Sequence, residues 1–67
     1  MKNKVLKMAI FEKEMKYKEV AEEMGINRKV FANKINQSVV NGYVAKFKPI
    51  EKVWLANRFG IKESDIE

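Results

Sequence analysis

Apolar residues recur along this chain in short bursts at helical spacing, punctuated by three glycines and one proline. Residues 3–14 carry Leu6, Ala9 and Ile10 on one stripe, with Phe11 beside them and Lys7 and Lys13 outside it, which predicts a first helix. Met15 is the apolar entry to a second helix over 17–24. Val20 and Met24 lie i,i+4 on its face, and Phe31 and Ile35 repeat that spacing on a third helix over 28–37. Between the two, Gly25 can adopt the positive φ that ends a helix, and Asn27 is a favourable N-cap for the next. Ala21 has no side chain beyond Cβ, so the second and third helices are expected to cross there. The N-cap position of the second helix holds Lys16, which forgoes about 0.5–2 kcal/mol relative to Ser or Thr. A fourth helix is predicted over 49–59, with Pro49 in its first turn and Gly60 past its end. Ile50, Val53, Trp54, Leu55, Ala56 and Phe59 surround it almost completely, which marks it as a central packing element. The tail, 61–67, is expected to form one short turn with Ile61 and Ile66 tucked back.

Residues 38–47 do not follow the helical period. Val39-Val40 and Tyr43-Val44 flank Asn41-Gly42, the strongest short hairpin signal a sequence offers. The alternative is a plain loop that lays Val40 and Val44 on the core.

Composition narrows the function classes. Sixty-seven residues make one small domain, 1–67, burying about 60% of its unfolded surface. The 46% hydrophobic content suits a folded chain. There is no cysteine and no histidine, so disulfides, thiol catalysis, the usual general base and the usual zinc ligand are missing. Glu19, Glu22 and Glu23 crowd the second helix, but Lys18 and Glu22 at i,i+4 suit a solvated face, and acid–base work needs a pocket with two separated pKa values. No enzyme activity, metal, cofactor or small-molecule substrate is expected. No apolar run approaches the ~20 residues of a membrane span, and the lysine-bearing N-terminal stretch lacks a signal-peptide pattern. Net charge is +5, unevenly placed: residues 1–49 hold 11 basic and 5 acidic residues, residues 50–67 hold 3 and 4. Such a basic balance attracts phosphate backbones or anionic membranes.

Two helices around a glycine, with a small residue at their crossing, form the helix-turn-helix pattern, whose second helix enters the DNA major groove. The same pattern also serves as a plain helical hairpin. Several further stretches carry a resemblance: Leu6-Lys7-Met8-Ala9-Ile10-Phe11-Glu12-Lys13 in the first helix, Val20-Ala21-Glu22-Glu23-Met24-Gly25-Ile26 through the turn, Lys34-Ile35-Asn36 closing the third helix, and Ala56-Asn57-Arg58-Phe59-Gly60-Ile61. Across residues 6–61 the chain resembles the lambda-repressor-like, Cro/C1-type (XRE) helix-turn-helix family, closest to small regulators of phages and mobile elements in Gram-positive bacteria. It departs from that family at Lys16-Tyr17, where Thr-Gln is usual, and at Gln37, where glycine is usual. The link to the fourth helix is also longer, and the fifth helix is a stub. The resemblance implies an all-α, compact four- to five-helix DNA-binding domain.

It also implies which residues would touch DNA. Asn27, Arg28, Lys29, Ala32 and Asn33 form the base-reading set: Arg28 or Lys29 suits guanine, Asn33 adenine, Ala32 a thymine methyl. Lys16, Tyr17, Lys18, Lys34 and Asn36 are the phosphate candidates, which set affinity and salt dependence. Tyr17 could equally pack on the core edge, and Asn36 could cap its own helix. Helix 3 is expected to pack through Val30, Phe31 and Ile35. Val39, Val40, Tyr43, Val44 and Trp54 are more apolar surface than one loop needs, so a weak homodimer on DNA is expected through them.

The leading expectation is a sequence-specific transcriptional regulator, Cro-like or a small repressor, acting in the cytoplasm by operator occupancy on double-stranded DNA. The alternatives are a helix-turn-helix scaffold serving as a protein-binding adaptor or antirepressor, and an excisionase-like architectural DNA binder.

Overall fold

The computed structural model describes residues 2–67. Four helices follow one another as α1 (Lys4–Glu12), α2 (Tyr17–Met24), α3 (Arg28–Asn36) and α4 (Pro49–Phe59), with a two-stranded antiparallel hairpin, β1 (Val39–Val40) and β2 (Tyr43–Val44), between α3 and α4. The expected fifth helix is a single 3-10 turn, Glu63–Asp65. This is an all-α domain with one short hairpin. No helix among the described residues is long and apolar enough to cross a membrane.

The core draws on every helix. Leu6 and Ile10 of α1, Val20 and Ala21 of α2, Phe31 and Ile35 of α3, and Leu55, Ala56 and Phe59 of α4 are buried together, with Phe47 and Ile66 closing the sides. Ala21 is 1% exposed where α2 and α3 pack, as its missing bulk predicts. Four apolar side chains that the helical period assigned inward lie outward instead. Phe11 is 81% exposed, Val30 42%, Ile50 76% and Val53 42%. In each helix an i,i+4 pair, or a contiguous cluster, already fills the space: Leu6 with Ile10, Phe31 with Ile35, and Leu55-Ala56 with Phe59. A residue about 100° from that pair is turned away from it.

All four helices end in the same device. A residue in left-handed backbone follows each, and the amide beyond it reaches back to the last turn: Met15 to Ile10 C=O, Ile26 to Ala21 C=O, Ser38 to Asn33 C=O and Ile61 to Ala56 C=O. Gly25 and Gly60 fill two of these positions, but Glu14 (φ 56°) and Gln37 (φ 51°) fill the others. Gln37 therefore adopts the conformation that glycine takes without cost.

The helix starts find substitutes for the missing Ser and Thr caps. The Lys16 N–H donates to Glu19 Oε1 at 2.8 Å and the Lys48 N–H to Glu51 Oε1 at 2.7 Å, each the acidic half of a capping box. Asn3, expected inside α1, instead precedes it in left-handed backbone and is wholly buried. Its Nδ2 donates to Ile35 C=O at 2.9 Å, one of the orphan carbonyls at the end of α3. Its Oδ1 accepts from the Glu67 N–H at 2.7 Å, and its own N–H donates to Glu67 Oε2 at 2.8 Å.

The segment 38–47 is a hairpin, not a loop over the core. Val39 pairs with Val44 and Val40 with Tyr43. Asn41 and Gly42 both have positive φ, 50° and 81°, the pattern of a type I′ turn. Val40 and Val44 remain 41% and 49% exposed, so neither lies on the core as the loop alternative required.

Candidate nucleic-acid interface

α3 is held by its inner side. Phe31 and Ile35 are completely buried. The Phe31 ring meets the Tyr17 ring edge-on at 5.4 Å and the Phe47 ring at 5.6 Å. These aromatic contacts from α2 and from the segment between the hairpin and α4 fix the roll of α3 about its axis. Its outward side then carries Lys29, Asn33 and Asn36 at i, i+4 and i+7. Lys29 and Asn36 are exposed, as is Arg28 in the first turn; Ala32 and Asn33 are half-buried. Asn27 caps the helix, its Oδ1 accepting from the Lys29 N–H at 2.7 Å, which leaves its amide nitrogen free to donate to an outside partner.

The phosphate candidates separate by environment. Lys16 and Lys18 are exposed at the start of α2. Tyr17 sits on the core edge beside Phe31, and burial raises its phenol pKa. Lys34 is already engaged: its ammonium donates to both Glu51 oxygens, at 2.8 and 2.9 Å, with only 16% of the side chain exposed. Burial works to raise the Glu51 pKa, but the hydrogen bonds and charges of Lys34 and Lys48 outweigh it and hold that carboxyl below its ordinary range. Asn36 does not cap α3; that position belongs to Gln37.

Charge is distributed more sharply than the two halves of the chain suggest. Residues 24–50 hold Arg28, Lys29, Lys34, Lys46 and Lys48 and no acidic residue, while the remainder holds nine basic and nine acidic residues. The whole formal charge of +5 therefore belongs to α3, the hairpin and their flanks. Among the described residues, Arg28, Lys29, Lys46 and Lys48 are exposed and form no ion pair. Lys46 and Lys48 were not among the expected contact residues. The acid-free run is the sequence signal that marks them.

The expected dimer residues fall into two places. Val39, Val40, Tyr43 and Val44 are exposed on the hairpin, Tyr43 at 79%. Trp54 is half-buried and lines a shallow groove of about 330 Å³ between α2 and α4, with Glu23, Met24, Ile50 and Glu51. No protein-family model, curated protein or solved structure matches the chain.

Proposed function

We propose that the chain is a sequence-specific DNA-binding regulator that reads the major groove with α3 and occupies an operator in the bacterial or phage-infected cytoplasm. The observation that carries this reading is the coincidence of two features on one element. α3 presents Arg28, Lys29, Asn33 and Asn36 outward, and it lies in the only long acid-free stretch of the chain. An excess of cations over carboxylates along one stretch attracts a polyanion. Arg28 and Lys29 also stand at the positive end of the α3 dipole, where a phosphate is favoured over a second cation.

In this mechanism Arg28, Lys29 and Asn33 contact base edges, and Lys16, Lys18, Lys46, Lys48 and Asn36 hold the backbone. Lys34 contributes through its ion pair, by fixing α3 to α4. Regulation follows from occupancy, with two weakly associating copies on adjacent half-sites about 34 Å apart. The hairpin favours an architectural variant of the same reading. Its exposed Val39 and Tyr43 are followed in sequence by the exposed Lys46 and Lys48, a combination of apolar and basic side chains that suits a minor groove.

Selection of bound duplexes from a random pool tests the proposal. A single enriched site is expected, with log K falling against log salt at a slope of about −3.6 to −5.4 for four to six phosphate contacts. A flat salt dependence with no enriched sequence would reject it and leave the protein-binding adaptor. Bending of the selected site, read by energy transfer between its ends, distinguishes the architectural variant from simple occupancy.

A further inference from the structure

α1 is apolar on two sides. Leu6 and Ile10 face the core at 0% and 2% exposure, while Val5, Met8 and Phe11 stand outward at 42%, 53% and 81%. At 3.6 residues per turn those three span an arc of about 120° centred on Met8. Lys4 and Glu12 lie about 40° to either side of Met8 within the same arc, so this outward face mixes three apolar side chains with one cation and one carboxylate.

The charges of α1 also run against its dipole. There is no acidic residue in its first turn and no basic residue in its last. Lys4 opens the helix and Glu12 closes it, with Lys2 and Glu14 extending the pattern beyond each end. Inside a lone helix both ends are disfavoured.

One arrangement answers both features. Much of the pattern is symmetric about Met8: Val5 and Phe11 lie three residues to either side, Lys4 and Glu12 four, Lys2 and Glu14 six, and each of those charged pairs has opposite signs, while Lys7 and Lys13 stand opposite Ala9 and Asn3. A two-fold axis through Met8 sets a second α1 antiparallel to the first. Met8 then meets its own counterpart, Val5 stands level with the partner's Phe11, and Lys4 with the partner's Glu12. Each dipole end also gains the opposite end of the neighbouring helix. A parallel copy would instead set Lys4 level with Lys4. We infer that α1 is a self-docking surface through which two copies of this chain pair antiparallel about Met8.

This inference stands apart from DNA binding. The hairpin lacks the same self-complementarity, because the charges flanking it, Lys34, Lys46 and Lys48, are all positive and a second copy would oppose lysine to lysine. An anionic lipid surface would meet Lys4 and Glu12 together, about 40° to either side of Met8, so the face offers it no net positive charge. Three side chains per copy cover less than the ~1,000 Å² of a self-standing interface. The pair is therefore weak and concentration-dependent.

Sedimentation equilibrium of the full chain over rising concentration tests it. A reversible monomer–dimer equilibrium is expected. Met8→Lys should weaken it about tenfold or more by opposing two ammonium groups on the axis, with helical circular dichroism unchanged because Met8 lies outside the core. Lys4→Glu should weaken it too, and Lys4→Glu with Glu12→Lys should restore it. Five results would overturn the inference. The wild-type chain stays monomeric throughout, or binds phosphatidylglycerol vesicles as a monomer. Association survives Met8→Lys, or is lost only in a Val40→Asp, Tyr43→Ala variant. The double swap failing to recover what Lys4→Glu loses excludes the antiparallel register.

Discussion

Residues 24–50 and the rest of the chain use charge in opposite ways. Outside that span nine cations and nine carboxylates cancel, and four of the carboxylates are put to structural use. Glu19 and Glu51 cap helix starts, Glu67 accepts from the Asn3 N–H, Glu51 binds Lys34, and Glu23 binds Arg58 at 2.8 Å. Inside the span Lys34 has an ion-pair partner, borrowed from α4, and outside it Arg58 has one. Arg28, Lys29, Lys46 and Lys48 form no ion pair among the described residues, and no carboxylate in their own stretch of sequence offsets them. Charge that folding does not consume is charge available to something outside the molecule. The core beneath the two regions is continuous, so the division lies in the surface and not in the packing.

The comparison breaks first where α3 is anchored. Phe31→Ala removes the ring shared by Tyr17 and Phe47, and it should cost about 3–5 kcal/mol in urea unfolding, much of a small domain's stability. An unchanged melt would show that α3 is not held by that ring. The comparison sharpens on DNA. Arg28→Ala should lose about 1–3 kcal/mol on the selected site and relax one base position. Lys46→Ala and Lys48→Ala should each shorten the salt slope by about 1, whereas Lys2→Ala and Lys62→Ala, from the neutral region, should leave it alone. Equal losses from all four lysines would dissolve the division.

Lys34→Ala probes the one cation that folding does use. It should lower stability by about 1–2 kcal/mol at neutral pH, by leaving Glu51 partly buried without its partner. The Glu51 pKa is lowered in the folded protein, so its contribution is present above the unfolded pKa and fades as pH falls through the folded one. The gap between wild type and Lys34→Ala, followed by denaturation across acid pH, should therefore close below the ordinary carboxylate range. The smallest effect is expected at Gln37, where glycine should stabilise the chain by about 0.5–1 kcal/mol, seen as a raised Tm, since the backbone there is already left-handed.

Features decided by neighbouring residues were legible before the structure. Asn41-Gly42 specified its turn, Asn27 its cap, Pro49 the start of α4, and Gly25 and Gly60 two of the helix ends. The i,i+4 pairs named most of the core. Direction was harder. α1 and α4 carry apolar residues on more than one side, and a period cannot rank two apolar faces, so it does not separate the outward Phe11, Ile50 and Val53 from the side chains that pack. Val30 failed for the same reason on a shorter scale, sitting one residue from the true anchor. Partnerships across the fold were not legible at all. Lys34 looked like a free cation because Glu51 lies on another helix, and Asn3 looked like a helix residue because its partners, Ile35 and Glu67, are 32 and 64 positions away.

That asparagine bears on how quickly the molecule comes apart. Its bonds to residue 67 span nearly the whole length of the chain, so the segment they close carries the largest loop entropy of any contact here. Contacts of such separation are unformed while local helices and the α2–α3 crossing assemble, and they lock in after the folding barrier. Their strength then enters the unfolding rate rather than the folding rate. In stopped-flow chevrons Asn3→Ala should steepen nothing and leave the refolding arm in place, while lifting the unfolding arm. A single buried side chain would thus act as a latch on the lifetime of the native state.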